Sequence, residues 1–146
     1  MRAYDDAKAV SRANLEFYRA FETLHFQRMA DLWLREPYVK CVHPGAEMLT
    51  GYDAVLHSWK EIFEHTERIK FSVHDIDVHV FGDVAWVTLT EAVETGFSRH
   101  ERGTSVMATN VFERRGGRWF MVHHHASPLL RRISADLSGD GIPEGL

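Results

Sequence analysis

Apolar residues recur every three or four positions over the first third of the chain, and at alternate positions over most of the rest. The first spacing is typical of amphipathic helices and predicts one over about residues 4–23 and another over 50–67. A shorter helix is expected between them and stops before Pro37. A short strand is predicted at 38–42, and the His-Pro-Gly sequence at 43–45 favours a turn after it.

The alternating pattern begins after Arg68 and predicts four strands joined by tight turns. Their expected ranges are about 71–80, 84–95, 103–115 and 118–127. The first of these strands changes phase near His74–Asp75, which is typical of a β-bulge. Helices followed by long antiparallel strands indicate an α+β fold, with the helices packed on one face of a strongly curved, mainly antiparallel sheet.

The predicted strands carry apolar residues on both of their faces. In the strand at 84–95, Trp86 points to one side while Val87 and Leu89 point to the other. The helices cover only one face of such a sheet, so the other face needs a partner of its own. A homodimer formed through the open sheet face is the expected solution.

Length, charge and cysteine content narrow the class of protein. The 146 residues suit one domain, expected at 1–128, followed by a Gly- and Asp-rich tail at 129–146. A net charge of −4 gives no reason to expect nucleic acid or an anionic membrane as a partner. No stretch has the length and apolar character of a membrane span or a signal peptide. With Cys41 alone, these features favour a soluble, cytoplasmic protein.

Several motifs, taken in order, resemble the nuclear transport factor 2-like superfamily, which includes ketosteroid isomerase and the SnoaL-like domains. The motifs are FYRAFETLHFQRMADLW at 17–33, CVHPG at 41–45, GYDAV at 51–55, FGDVAWVT at 81–88 and ATNVFERRGGRWFMVHHHASP at 108–128. The last motif is also similar to the association domain of calmodulin-dependent kinase II, in which a tryptophan is likewise followed by His-x-His and a serine. The resemblance implies a cone-shaped fold with a pocket between sheet and helices, usually in a dimer.

Three consecutive histidines stand out in the last predicted strand. A purification tag is a poor explanation, because 21 residues follow them. Strand alternation places His123 and His125 on one face and His124 on the other. The kinase-domain resemblance implies that His123 and His125 face the pocket. A metal site would need a third ligand, His43 or His74, and no metal-binding spacing supports one.

His43 is a candidate general base, because it ends the first predicted strand and an imidazole titrates near neutral pH. The resemblance places it near the catalytic aspartate of ketosteroid isomerase, although an imidazole that only caps a turn is an open alternative. Ketosteroid isomerase activity itself is not expected. The tyrosine and protonated aspartic acid of that enzyme have as nearest counterparts Phe17, beside Tyr18, and Thr109 or Asn110.

Other residues are expected to line the pocket. Asn110 is predicted to face inward, with His123 or His125 as its hydrogen-bond partner. The remaining ligand-binding candidates are Tyr18, Trp33, Trp59, Trp86, Thr88 and Thr90. For Trp33 and Trp59, packing of the helices on the sheet is the favoured explanation. Glu91 lies on or near the second long predicted strand and is not among the site candidates.

The sequence therefore leaves two main hypotheses. The first is a cofactor-free, metal-free isomerase, dehydratase, cyclase or hydrolase that acts on a small, mostly apolar molecule. In it His43 is the base, and His123, His125 and Asn110 polarise the substrate. The second is a non-catalytic ligand-binding or dimerisation module. Fold alone does not decide between them.

Overall fold

Three helices and six strands form the part of the chain that the structure, a computed structural model, describes: residues 2–95 and 104–130. The helices are α1 (Arg2–Glu22), α2 (Phe26–Leu32) and α3 (Tyr52–Glu64). The strands are β1 (Lys40–Val42), β2 (Leu49–Thr50), β3 (Ile69–Phe81), β4 (Val84–Thr95), β5 (Thr104–Arg115) and β6 (Arg118–Pro128). These bounds confirm the predicted elements to within a few residues. Only β2 was not predicted.

The six strands form one curled, unclosed sheet in the order β2-β1-β6-β5-β4-β3. All neighbouring strands are antiparallel except β1 and β6, which run parallel. The three helices pack on one face of this sheet. The predicted α+β class, with helices on a curved, mainly antiparallel sheet, is confirmed.

Helix α1 buries a stripe of residues against the sheet. Val10, Phe17 and Ala20 are fully buried there, as the helical spacing requires. Asp5 in the first turn and Arg19 in the last turn have the signs that favour the helix dipole. The stripe also contains Asn14, a polar residue that is 3% exposed.

A β-bulge interrupts β3 at the predicted place. The pairing of β3 with β4 shifts between His74 and Asp77, and Asp75 has the positive φ of 56° that such an irregularity allows. The bulge adds to the bend that lets the sheet curl around α1.

The inner face of β4 carries Val87, Leu89 and Glu91, which are all buried, whereas Trp86 is 38% exposed. Trp86, Thr88 and Thr90 were expected to line the pocket between sheet and helices, but they lie on the opposite face of β4 from its buried residues. Alternation shows which residues share a face, but it does not show which face the helices cover.

A second bulge reverses the expected orientation of the histidines. Phe112 of β5 pairs with Met121, while the adjacent Val111 pairs with His123, so that β6 contains one extra residue, Val122. Trp119 and Met121 before the bulge and His124 after it all lie on the inner face. The prediction that His123 and His125 face the interior was therefore wrong, because it assumed unbroken alternation.

Among the described residues, no helix is both long enough and apolar enough to cross a membrane. The predicted tail begins at residue 129, and residues 131–146 lie outside the described part of the chain.

Candidate functional site

A network of five buried polar side chains lies between α1 and the sheet. The Tyr18 hydroxyl donates to Glu91 Oε2 at 2.6 Å, and it accepts a hydrogen bond from Asn110 Nδ2 at 3.2 Å. Asn110 Nδ2 also donates to Asn14 Oδ1 at 2.9 Å. On its other side, Asn110 Oδ1 lies 2.6 Å from His124 Nδ1. All five side chains are at most 4% exposed.

The partners fix the direction of every hydrogen bond in this network. An amide oxygen only accepts, so His124 carries its proton on Nδ1 and donates it to Asn110. His124 Nε2 is then an unprotonated acceptor. The network runs from one imidazole through Asn110 and Tyr18 to the Glu91 carboxyl group, and Glu91 Oε2 is its final acceptor.

Glu91 is a carboxyl group held in the core with no cationic partner among the described residues. Burial raises its pKa from the usual 4.5 to about 7, and the hydrogen bond from Tyr18 only partly opposes this shift. The same burial, with the charge of Glu91, raises the pKa of Tyr18 well above its usual value. Besides Tyr18, the buried polar residues in the described part of the chain are Asn14, Glu91, Asn110 and His124, and none of them is positive at neutral pH.

A second polar group surrounds His43 at the end of β1. The Ser58 hydroxyl donates to the Val55 carbonyl at 2.6 Å, so His43 Nε2, 2.9 Å away, must be the donor to Ser58 Oγ. His43 Nδ1 is therefore unprotonated. Burial lowers the pKa of His43 to about 4, so that it is neutral at pH 7. Cys41 Sγ lies 3.7 Å from His43 Nε2, and burial raises the pKa of its thiol.

Trp59 of α3 connects the two polar groups. Its ring centroid lies 4.8 Å from that of His43, nearly perpendicular to it, and 6.0 Å from that of His124. Phe17 packs against both Trp59 and His124, at 5.5 and 4.8 Å. The indole N–H of Trp59 is buried and finds no acceptor among the described residues, a property it shares with Trp33.

The structure brings some of the predicted site residues together and separates others. Tyr18, Asn110, Trp59 and His43 lie within this interior, and Asn110 has His124 as its partner instead of His123 or His125. His123 and His125 lie on the outer face with ring centroids 6.1 Å apart. The other outer-face candidates are Trp86, Thr88 and Thr90. Trp33 is buried at the end of α2, where it forms a bridge with Met121.

Metal coordination has little support in the described ranges, 2–95 and 104–130. No three histidine, cysteine, aspartate or glutamate side chains come together there in a way that could hold an ion. His123 and His125 lie on the outer face, and His43 lies on the inner side.

The sequence contained signals for the residues that were missed. Val87, Leu89 and Glu91 occupy alternate positions along β4, so Glu91 lies on the same apolar face. Asn14 lies four residues from both Val10 and Tyr18 in the apolar stripe of α1. A polar residue in an apolar stripe needs a buried partner, and this reasoning would have singled out both.

A surface groove of about 500 Å³ lies outside this site, between α1 and the hairpin that joins β5 to β6. Ala13, Leu15, Arg19 and Trp119 are among the residues that line it, and no member of the Glu91 network does.

Glu91 makes the stability of the protein depend on pH. The native carboxyl group keeps a proton that the unfolded chain releases above about pH 4.5, because burial raises its pKa to about 7. The free energy of unfolding should therefore fall as the pH rises from 4.5 to 7, and remain lower above that range. A shift of this size corresponds to at most about 3 kcal/mol.

The Glu91→Gln variant isolates this effect, because His43 and His124 titrate alike in both proteins. We expect the free energy of unfolding of the variant, relative to the wild type, to increase between pH 5 and pH 8, by at most about 1.4 kcal/mol per pH unit. Urea unfolding at each pH measures this difference. A difference in unfolding free energy that stays constant with pH would show that Glu91 titrates normally in the native state.

Comparison with known proteins agrees with this fold. The family model described as a SnoaL-like domain matches residues 10–131. A crystal structure of a candidate dehydratase of the NTF2-like family from Streptomyces avermitilis is 37% identical and covers 88% of this chain and 99% of its own, with a TM-score of 0.82. A candidate calcium/calmodulin-dependent protein kinase type II association domain from Thiobacillus denitrificans is 33% identical, covers 81% and 93%, and has a TM-score of 0.74.

A curated plant protein is also similar. The F-box protein SKIP8 of Arabidopsis thaliana is 37% identical over 127 residues, which is 87% of this chain. The chain spans about half, 52%, of the length of that relative.

Proposed function

Because the chain belongs to the SnoaL-like domain family, with the nuclear transport factor 2-like fold that its motifs predicted, we propose that it catalyses cofactor-free proton transfer at a carbon atom of a small molecule. The observation that carries this proposal is the buried Glu91 carboxyl group, which is hydrogen-bonded to Tyr18 and has no cationic partner in the described part of the chain. A buried acid with a strongly raised pKa is costly to the fold, and such groups cluster at functional sites. The similarity to a candidate dehydratase supports the same class of chemistry.

Glu91 acts as the base in this mechanism. Its pKa of about 7 is close to the pH at which the group must both take and return a proton. The carboxylate removes a proton from carbon next to a carbonyl group, and the electron pair of the C–H bond forms the enolate. The protonated Glu91 then returns the proton to carbon, which gives isomerisation or exchange. In a β-hydroxy substrate it protonates the departing hydroxyl group, which leaves as water.

The other members of the network hold Glu91 in place. Tyr18 donates its only proton to the carboxylate, and Asn110 fixes the Tyr18 oxygen from the opposite side. We assign Tyr18, Asn110, Asn14 and His124 as positioning residues. His43 is the partly exposed member of the interior, and the substrate approaches past it. Its unprotonated Nδ1 is a second proton acceptor. The role of main base, which the sequence suggested for His43, belongs to Glu91 in this mechanism.

The proposal is tested by the exchange of substrate protons with solvent. The full chain is incubated in D₂O with cyclohexanone or 1-indanone, and proton NMR follows the loss of the signal from the carbon next to the carbonyl. We expect exchange faster than in matched buffer. Rates equal to those in buffer for both ketones would reject the function.

A second candidate function, assembly through the sheet, is favoured by the outer face. Large apolar residues are exposed on or beside it: Ile76, Phe81, Val84, Trp86 and Met107. Exposed apolar patches of this kind mark interaction sites. The similarity to a kinase association domain supports a second copy of the chain as the partner, so we propose that a homodimer forms through this face.

Replacing Trp86 by Lys is expected to weaken this dimer. Trp86 stacks on Phe81 at 5.0 Å in the middle of the exposed apolar residues, and a central tryptophan is typically worth about 2 kcal/mol or more of binding energy. Sedimentation equilibrium should show the dissociation constant rise roughly thirty-fold. Leu15→Lys, an equally exposed apolar position on α1, is the control and should leave the dimer intact. A wild-type monomer, or an unchanged Trp86→Lys dimer, would contradict the proposal.

A further inference from the structure

Three arginines surround the groove of about 500 Å³ between α1 and the hairpin that joins β5 to β6. Arg12 and Arg19 are separated by about two turns of α1, so their side chains lie on the same face of the helix. Arg118, at the start of β6, lines the groove from the hairpin. The groove therefore has cations on both of its walls, in a chain whose net charge is −4.

Within the described part of the chain, these three cations have no carboxylate partner. Neither Arg12 nor Arg19 forms an ion pair or a hydrogen bond through its guanidinium group there. Arg118 donates a hydrogen bond to a backbone carbonyl, that of Asp31, at 2.9 Å. Other described arginines do bind at least one carboxylate each: Arg28, Arg114 and Arg115.

The Glu16 carboxylate also lines the groove, but Arg28 already binds it. The Nε and Nη2 atoms of Arg28 each lie 2.8 Å from a different oxygen of Glu16. The hydrogen bond from Arg28 holds the pKa of Glu16 below its usual value, so the pair stays ionised. Its two charges cancel, and the charges of Arg12, Arg19 and Arg118 are left for a ligand.

Most of the remaining lining is apolar. It includes Ala9 and Ala13 of α1, Leu32 of α2 and Trp119 of β6. The small side chains of the two alanines leave space between the helix and the hairpin. Sites for small molecules typically have about 300–1,000 Å³, and this groove lies within that range. An occupant that fits it has an apolar body and an anionic end.

We infer that this groove binds a phosphate monoester with an aromatic or other apolar body. Such a phosphate carries about −1.5 to −2 charges at pH 7 and has three acceptor oxygens. It therefore matches three guanidinium groups without carboxylate partners better than a single carboxylate does, and arginine binds phosphate through two parallel N–H donors. No member of the Glu91 network lines the groove, so this binding site is independent of the proposed proton transfer.

The test is isothermal titration calorimetry of the full chain with phenyl phosphate and 1-naphthyl phosphate at pH 7. Salt at about 100 mM screens charges that lie more than about 10 Å apart. As comparison ligands, 1-naphthol lacks the charge and inorganic phosphate lacks the apolar body. The variants Arg12→Gln and Arg19→Gln each remove one exposed cation of the groove. Lys60→Gln is the matched control, because it removes one exposed cation from α3, outside the groove.

We expect one ester molecule to bind per chain, about ten-fold or more tightly than inorganic phosphate, because its body buries apolar area. Binding of 1-naphthol should be weaker by a similar factor, because it offers no charge to the arginines. Each arginine variant should weaken binding of the ester roughly ten- to a hundred-fold, the loss typical of a charge-assisted hydrogen bond. Lys60→Gln and Glu91→Gln should keep the wild-type affinity.

Three results would overturn the inference. The first is that neither ester shows saturable binding to the wild type. The second is that inorganic phosphate or 1-naphthol binds as tightly as the esters. The third is that Arg12→Gln and Arg19→Gln keep the wild-type affinity, or lose no more of it than Lys60→Gln. None of these results affects the proposed proton transfer, which is measured by deuterium exchange.

Discussion

Replacing Glu91 by Gln is expected to slow catalysed proton exchange roughly a hundred- to ten-thousand-fold, which is the usual contribution of a general base. Glutamine has nearly the same shape and still accepts the Tyr18 hydrogen bond through its amide oxygen. It does not take a proton near neutral pH. The measurement is the rate of deuterium uptake by 1-indanone at pH 7 with equal concentrations of each protein.

Two comparisons distinguish the loss of the catalytic base from a loss of the folded structure. The variant should unfold at the same or higher urea concentration than the wild type, because it removes a buried charge. Glu94→Gln changes an exposed carboxylate three residues further along β4 and should keep the wild-type rate. If Glu91→Gln retained full exchange activity, the base would be another group, and His43 with its unprotonated Nδ1 would be the next to examine.

Replacing Asn110 by Ala is expected to lower the free energy of unfolding by about 3–5 kcal/mol, because it breaks a buried network at its centre. Asn110 makes three side-chain hydrogen bonds and is fully buried. Its loss leaves His124 Nδ1–H without an acceptor and Asn14 Oδ1 without its donor. Urea unfolding at pH 7 measures the change.

Thr109→Ala is the matched control for this variant, because Thr109 is the neighbouring residue of β5 and points to the outer face. A surface change of this type should stay within about 0.5 kcal/mol of the wild type. A loss below about 1 kcal/mol for Asn110→Ala would show that the five side chains do not act as one network.

The change in apolar spacing along the chain was enough to predict the helices and the long strands. The bulge in β3 was also predictable, because a change of phase near His74 is visible in the sequence. The motifs predicted the family, which the match over residues 10–131 confirms. Short β2 was missed, because two residues are too few to show any periodicity.

The candidate site was predicted less well. Asn110 was expected to be buried beside a histidine, and it is, but the histidine is His124. Glu91 was not chosen as a site residue, although the apolar Val87 and Leu89 share its side of the strand. Tyr18 was expected to reach inward. Its hydrogen-bond partner Glu91 lies 73 residues away in the sequence, so no local pattern could predict this pair.

The sequence by itself determined the helices and long strands, their order and, where no bulge intervenes, the sets of residues that share a face. Only the tertiary structure decided which of those faces is inside. The reason is that alternation along a strand is symmetric between the two sides of a sheet, and the side covered by helices becomes the interior. One extra residue at Val122 then reverses the assignment for everything after it, which placed His124 inside and His123 and His125 outside.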